Sequence, residues 1–301
     1  MTSIEKIDNQ YTRRVVGMDK DRLETFLSLV TYKNFTKSAE MLHVAQSTVS
    51  SRLKGLEREL GKKLFKRTNT GVELTPSGLT FLPYAKRIIE LFDESQKELA
   101  LDNQYTDRLV LGGPSSAWNY IYREVLSDFS ISNQHVSLEL KTHSSENTIS
   151  KVLDRVIDVG VSYTKPTHPN LIVHKHIEDH YKFVSRCQLN RAIGIDDLNS
   201  QRFILNNWGD SFLEWFKELT GTDYLPSLAM NQTAIVVKML EEHDYFSLLP
   251  SKIVQPFIKD EKLLYLESDF EMPLHNIYIF TSKNRKKEVI VKKILEALKE
   301  E

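Results

Sequence analysis

Between Asp19 and Lys33, apolar residues recur at helical spacing (Leu23, Phe26, Leu27, Val30). They do so again at Ala39 and Leu42, and again at Val49, Leu53, Leu56 and Leu60. The pattern predicts three amphipathic helices in close succession. Thr36 and Ser47 stand where the second and third helices should begin, and short hydroxyl side chains there predict N-caps. His43 to Gln46 leaves room only for a tight turn, and Gly61 sits where the third helix needs a C-cap. Lys62 to Pro76 then carries Lys62, Lys63, Lys66 and Arg67 around Leu64 and Phe65, with Asn69-Thr70-Gly71 as a turn. This is a basic hairpin whose two apolar residues pin it to the preceding helices.

From Pro76 to about Gln104 the chain reads as one long helix, with Pro76 in the first turn where its missing N–H costs nothing. Leu82, Ala85, Ile89, Phe92, Gln96 and Leu99 form a seam that a twin chain would bury. Pro83 predicts a kink near Leu79 to Pro83. Beyond Arg108 short apolar runs alternate with helical patterns. The runs are Leu109 to Gly112, Val136 to Lys141, Val159 to Val161, Arg202 to Asn206, Ser227 to Met230, Phe246 to Pro250 and His275 to Thr281. Helices are predicted at Trp118 to Asp128, Glu146 to Val156, Ser211 to Leu219, Thr233 to Glu242 and Lys286 to Glu300, and Leu171 to Val184 carries the chain across. That rhythm implies parallel pairing and α/β architecture.

Composition adds little to this outline. The chain has 301 residues and a formal net charge of −1, so no global field favours nucleic acid. Locally the balance differs: Met18 to Pro76 holds eleven Lys and Arg against seven Asp and Glu, a modest basic module on a neutral chain. Cys187 is the only cysteine, so no intrachain disulfide forms, which fits a reducing compartment. With no signal peptide and no apolar run near the length of a membrane span, a soluble cytoplasmic protein without membrane contact is expected. Residues 1–17 are polar, carry Arg13-Arg14 and show no period. They read as a disordered N-terminal extension or as sequence upstream of the true start.

The polar face of the third helix opens with Gln46, Ser47, Thr48, Ser50 and Ser51 and continues with Arg52 and Lys54. Small polar groups at a helix N-terminus let the backbone approach a major groove and meet base edges, while flanking cations meet phosphates. Thr36 on the preceding helix, and Arg67 and Thr75 on the hairpin, complete the expected DNA contacts. An ordinary helical hairpin with a solvated polar face has the same spacing. The residue order goes further. Leu23-Glu24-Thr25-Phe26, Asn34 to Leu42, Gln46 to Ser50, Leu56 to Gly61, Leu64 to Arg67 and Leu74 to Gly78 together resemble the DNA-binding domain of LysR-type transcriptional regulators. Ser51 departs from that pattern, since many members carry Arg there; the docking mode carries over, but not the base read at this position. More weakly, Ile157 to Val161 and Leu248-Leu249-Pro250 resemble the effector domain of the same family. Glu242-His243-Asp244 replaces the glycine-containing turn usual before the second of these.

The resemblance implies an α+β multidomain chain: a winged helix-turn-helix at 18–76, a linker and dimerisation helix at 77–105, and a two-subdomain α/β, periplasmic-binding-protein-like effector domain at 106–301. Subdomain I would span about 106–178 and 275–301, and subdomain II about 179–274. The expected partners are double-stranded promoter DNA, a second copy of the chain through the linker helix (with tetramers built from dimers), a small-molecule effector, and RNA polymerase. Ser115 and Ser116 after the first strand, Ser144 and Ser145 after the second, and Asn206, Asn207 and Trp208 in the other half are the effector-contacting positions. Ser115 and Ser144 would serve equally as helix caps.

Other chemistry finds no support. His168, His174, His176 and His180 lack companions for a metal site. Gly112 to Ser115 matches no phosphate-binding fingerprint, and there is no nucleophile, base and orienter set. No cofactor and no enzymatic activity are expected. An effector-independent DNA-binding protein that only oligomerises through its α/β domain, and a small-molecule-binding protein with an accessory DNA-binding domain, are the alternatives.

Overall fold

The computed structural model describes residues 19–68, 71–99, 105–221, 224–284 and 287–299. The expectations for residues 1–17 and Met18, for Asn69-Thr70, for the linker helix from 100 to 104 and for both ends of the closing helix at Lys286 and Glu300 lie outside these residues. The chain forms two compact units, Met1–Ala100 and Leu101–Glu301.

In the first unit, helices α1 (Lys20–Tyr32), α2 (Phe35–Met41) and α3 (Gln46–Leu60) precede a hairpin of β1 (Phe65–Thr68) and β2 (Gly71–Leu74). Helix α4 (Pro76–Leu99) follows. The predicted apolar faces meet in one core: Leu23, Phe26 and Leu29 of α1 pack with Val49, Leu53 and Leu56 of α3 and with Leu64, Phe65 and Val72 of the wing. Phe26 sits at its centre, 5.4 Å from the Phe65 ring and 5.2 Å from that of Phe81.

The structure corrects both helix caps. The N-cap of α2 is Asn34, whose side chain accepts from the Lys37 amide, so Thr36 lies inside the first turn. Helix α3 begins two residues earlier than expected, after Ala45, which offers no side-chain cap, and Ser47 is likewise within the first turn. Gly61 does take the left-handed C-terminal position, at φ 64°.

The linker helix shows the largest departure. It runs unbroken through Pro83. Ala85 is 0% exposed, and Leu82 and Ile89 pack against the same core. Half of the expected seam therefore belongs to the core of the chain's own first unit. The apolar stripe left in solvent is Tyr84, Ile88, Leu91, Phe92 and Leu99, with Leu79 further up the helix. Ion pairing of Lys20 with Asp93 at 2.8 Å ties α1 to this helix farther along.

The second unit is built on one continuous ladder, nine-stranded among the described residues. Strands β3 (Asp107–Gly113), β4 (Val136–Thr142) and β5 (Val159–Ser162) pair in parallel, with β3 in the middle. Strand β6 (Leu171–Ser185) changes partners along its length: Leu171 to His180 lies against β11 (Leu274–Ser282), while Tyr181 to Ser185 lies against β9 (Phe246–Pro250). β7 (Phe203–Asn206) continues in parallel from β9 to β8 (Leu228–Met230), and β10 (Leu264–Leu266) flanks the end of β6. The ladder thus passes from one half to the other at His180/Tyr181.

Helices α5 (Arg123–Ser132), α6 (Ser145–Leu153), α7 (Asp210–Thr220), α8 (Thr233–Glu242), α9 (Ser251–Lys259) and α10 (Glu288–Ala297) alternate with these strands. The helix expected from Trp118 opens instead as a π-type turn over Ala117–Ile121, closed by the Tyr122 amide on the Ala117 carbonyl at 2.9 Å. Helix α9 has no clear sequence signal because Pro256 interrupts its pattern. Asp179 holds its start, accepting from the Lys252 amide at 3.0 Å and from the Ser251 hydroxyl. Where the glycine-containing turn is replaced, α8 ends at Glu242 and Arg186 donates to the Glu242 carbonyl at 2.8 Å. Arg202 pairs with Asp244 beside it.

Candidate DNA interface and effector cleft

On α3 the apolar face is consumed by the core, which leaves Gln46, Ser47, Ser51 and Lys54 exposed and Thr48, Ser50 and Arg52 half-buried. Gln46, Ser50 and Lys54 follow one another at four-residue spacing, as do Ser47 and Ser51, so these five form one outward face. Arg52 lies beside that face, paired with Asp21 of α1. Its first role is therefore to hold α1 against α3.

A concavity of about 310 Å³ opens beside this face, lined among others by Lys33, Asn34, Thr36, Gln46, Arg67 and Thr68. It brings Thr36, Gln46 and the exposed Arg67 together. Lys33 was not singled out from the sequence. It adopts the left-handed conformation at φ 52°, and its carbonyl accepts the Val72 amide at 3.0 Å, which stitches the wing to the end of α1.

Glu57 is the second residue that sequence reasoning missed. At 7% exposure it accepts from the Leu64 and Phe65 amides at 2.9 and 3.4 Å and pairs with Lys63 at 2.7 Å. It thereby turns the end of α3 into the anchor of the hairpin. Thr75 is corrected: its hydroxyl donates to the Lys63 carbonyl at 2.6 Å and accepts from the Gly78 amide at 3.1 Å. It caps α4, and its one proton is not available to a phosphate oxygen.

In the second unit the parallel strands β3, β4, β7 and β8 end on the same rim. Between the two halves lies a cavity of about 370 Å³, whose wall includes Ser115, Ser116, Ser144, Ser145, Asn207 and Trp208. Asn206 stands behind it, buried, with its Nδ2 donating to Oγ1 of the wall residue Thr233 at 3.2 Å. Several of the named groups are also structural. Ser144 caps α6 by accepting from the Asn147 amide at 3.3 Å, Asn207 Oδ1 accepts from the Gly209 amide at 2.8 Å, and Trp208 Nε1 donates to the Leu248 carbonyl at 3.2 Å.

Tyr163, at the end of β5, organises the site and went unnoticed in the sequence. Its hydroxyl meets Ser116 Oγ at 2.7 Å and its amide donates to Ser145 Oγ at 2.9 Å. Its ring lies 6.1 Å from Trp208 of the other half and 4.3 Å from His275. Burial pushes the phenol well above its ordinary pKa, so it stays protonated. The rule that ligands gather at strand C-termini would have found it, had β5 been treated like β3 and β4.

Behind Tyr163, His275 is 2% exposed and shares a hydrogen bond between its Nδ1 and the Tyr181 hydroxyl at 3.0 Å. Desolvation lowers its pKa from 6.5 to about 4, against a smaller opposing pull from Asp179. Between those values the unfolded chain takes up a proton that the folded chain refuses. Stability of this unit should therefore fall as pH drops from about 6.5 to about 4 and gain nothing further from this group above 6.5. The full loss is about 3 kcal/mol. Urea denaturation of wild type and His275→Gln across pH 5 to 8 checks it: the difference between the two should shrink at low pH, and parallel curves would refute it.

His174 and His176 on β6 bond to Thr281 and Asn276, at 2.8 and 2.7 Å. Among the described residues no cluster of His, Cys, Asp and Glu could hold a metal ion, and no helix is long and apolar enough to cross a membrane.

Comparison with known proteins places both units. Residues 21–79 match the family described as "Bacterial regulatory helix-turn-helix protein, lysR family", and residues 102–301 match "LysR substrate binding domain". The HTH-type transcriptional regulator CitR of Bacillus subtilis is 26% identical over 289 residues, covering 93% of this chain and 98% of the relative. The HTH-type transcriptional regulator HdfR of Yersinia enterocolitica is 23% identical over 286 residues, covering 92% and 95%. Among solved structures, CbnR, a LysR family transcriptional regulator, aligns with a TM-score of 0.67 at 19% identity, covering 94% of this chain and 99% of that one. CbnR has also been solved in complex with its target DNA, with the same TM-score. With the helix-turn-helix at one end and the two-halved α/β unit at the other, both matched along their length, the chain belongs to the LysR family and is a DNA-binding transcriptional regulator.

Proposed function

We propose that this regulator binds promoter DNA as a dimer or a tetramer built from two dimers and that a small molecule in the cleft of the α/β unit controls it. The observation that carries the reading is the cavity at the converging strand ends. Its walls come from both halves, which are joined by only two passages of the chain, so a ligand bound there favours one relative arrangement of the halves over others. Gln46, Ser47, Ser50, Ser51 and Lys54 would face the major groove, with Thr36 and Arg67 at the flanking backbone. Two such helices in a dimer would address half-sites about one helical turn, roughly 34 Å, apart. Recruitment of RNA polymerase would follow from the change in half-site spacing or DNA bending.

The test is a footprint of the purified protein on the DNA upstream of its own gene, at two salt concentrations. Two protected half-sites that survive the higher salt are the expected result; diffuse protection that vanishes with salt would count against sequence-specific binding. Arg67→Ala should weaken binding to all duplexes alike and reduce the slope of log K against log salt by about 0.9, one phosphate's worth. Changing Ser50 and Ser51 should instead alter the preferred sequence. An equal loss on every duplex would remove them from base recognition.

A further inference from the structure

Lys33 occupies a position that its own backbone disfavours. It ends α1 in the left-handed conformation, φ 52° and ψ 20°, with its amide on the Leu29 carbonyl at 2.9 Å. Helices that stop this way commonly place glycine there, because a Cβ crowds the backbone in this region. Lys33 is exposed and forms no ion pair among the described residues. A lysine that met only solvent would gain nothing from such a backbone, and glycine would serve the fold better.

The cations around it behave differently. Lys37, Arg52, Lys63 and Lys66 pair with Glu40, Asp21, Glu57 and Glu73. Arg67 is like Lys33: it is exposed and pairs with no carboxylate among the described residues. These two line the concavity of about 310 Å³ together with Thr36 and Gln46, and no Asp or Glu is among its lining residues. The fold also fixes where the two cations stand. The Lys33 carbonyl accepts the Val72 amide at 3.0 Å, and Val72 lies opposite Arg67 in the hairpin register. Gly71 makes that approach possible, since a Cβ there would stand 2.3 Å from the Lys33 oxygen. Two like charges on one concave wall repel each other until a polyanion lies against them, and a strand of regularly spaced phosphates meets that need.

We infer that Lys33 is a phosphate-binding residue of the DNA interface. It engages the sugar-phosphate backbone beside the phosphate met by Arg67, and the chain keeps it there against the preference of its own backbone. This rests on the reading that α3 and the concavity next to it face the duplex. A phosphate contact carries no sequence information, so it raises affinity for every duplex alike.

The experiment titrates full-length wild type, Lys33→Gly, Lys33→Arg, Arg67→Ala and the combination of Lys33→Gly with Arg67→Ala. Fluorescence anisotropy follows two labelled duplexes of equal length, one from upstream of the gene and one unrelated, over about 50 to 200 mM salt. Lys33→Gly should weaken both duplexes by the same factor, about tenfold at low salt. It should lower the slope of log K against log salt as much as Arg67→Ala does, about 0.9 for each phosphate lost. The combined variant should lower the slope about twice as far, and Lys33→Arg should keep the wild-type slope. Thermal unfolding of Lys33→Gly should occur at or above the wild-type temperature, because glycine accepts the left-handed conformation. Unchanged affinity and slope in Lys33→Gly, a loss on one duplex only, or a lowered unfolding temperature overturns the inference. If Arg67→Ala still weakens binding in that case, the docking face stands and Lys33 alone is misassigned. If neither single variant changes affinity or slope, the docking face itself fails.

Discussion

Ile88→Glu combined with Leu91→Glu should leave the DNA-binding unit folded and lower its affinity for a two-half-site operator by about a hundredfold or more. Both side chains lie in solvent on α4, so the substitutions cost the monomer little. In the proposed dimer they place four carboxylates in an apolar interface, where unpaired charge is not tolerated. Separated monomers lose the gain from linking two half-site contacts, which is of the order of 10² to 10⁴ in affinity. Light scattering coupled to gel filtration, together with operator titration, checks both halves of the expectation. Ala85→Glu is the contrasting variant. Ala85 is wholly buried in the unit's own core, so its charge should unfold the domain before dimerisation is tested. A dimer that survives the double substitution would show that the exposed stripe is not the interface.

The second large effect is expected from Gly160→Val in β5. A Cβ built at this glycine would lie 2.5 Å from one atom of the Phe280 ring and 2.8 and 2.9 Å from two others. Phe280 is itself fully buried on β11, and it packs with Val110, Val152 and Ile157. The ring has nowhere to move, and a valine adds two more carbons to the same space. Such overpacking costs about 3 kcal/mol or more, a large part of the stability of a typical domain. Thermal unfolding of the purified variant should show the transition of the α/β unit shifted down by several degrees or lost. A melting curve matching wild type would mean that β5 and β11 can separate more easily than their packing indicates. The same geometry explains why Ile157 to Val161 carries the resemblance to the effector domain. Gly160 admits the ring, and Asp158 accepts the Val110 amide at 2.9 Å and meets Lys287 at 3.3 Å.

Much of the candidate site was legible at the level of position and less so at the level of role. The serine pairs after β3 and β4 and the Asn207-Trp208 step after β7 were found because parallel α/β units place ligands at strand C-termini. Tyr163 obeys the same rule but was passed over, since a lone aromatic after a short strand reads as core. Thr75 was taken for a phosphate contact because a hydroxyl on a basic hairpin suggests one. Only the positions of the Lys63 carbonyl and the Gly78 amide, supplied by the fold, show that its donor is spent. Asn34 displaced Thr36 as a cap because its carboxamide reaches the Lys37 amide from two residues earlier.

Hydrophobic periodicity and residue order by themselves determined the winged helix-turn-helix, the long helix after it and the alternating α/β half. Each depends on local spacing that survives without knowledge of the partner surface. Tertiary structure decided what those surfaces face. A helical stripe is defined only up to the neighbour that buries it, and in α4 two stripes a third of a turn apart were both apolar. Packing against Phe26 and its surroundings claimed Ala85 and Leu82 and left Tyr84, Ile88 and Leu91 outside. In the same way, a buried carboxylate such as Glu57 is indistinguishable in sequence from a solvated one. Its role exists only because the chain returns after Gly61 and brings the Leu64 and Phe65 amides to it.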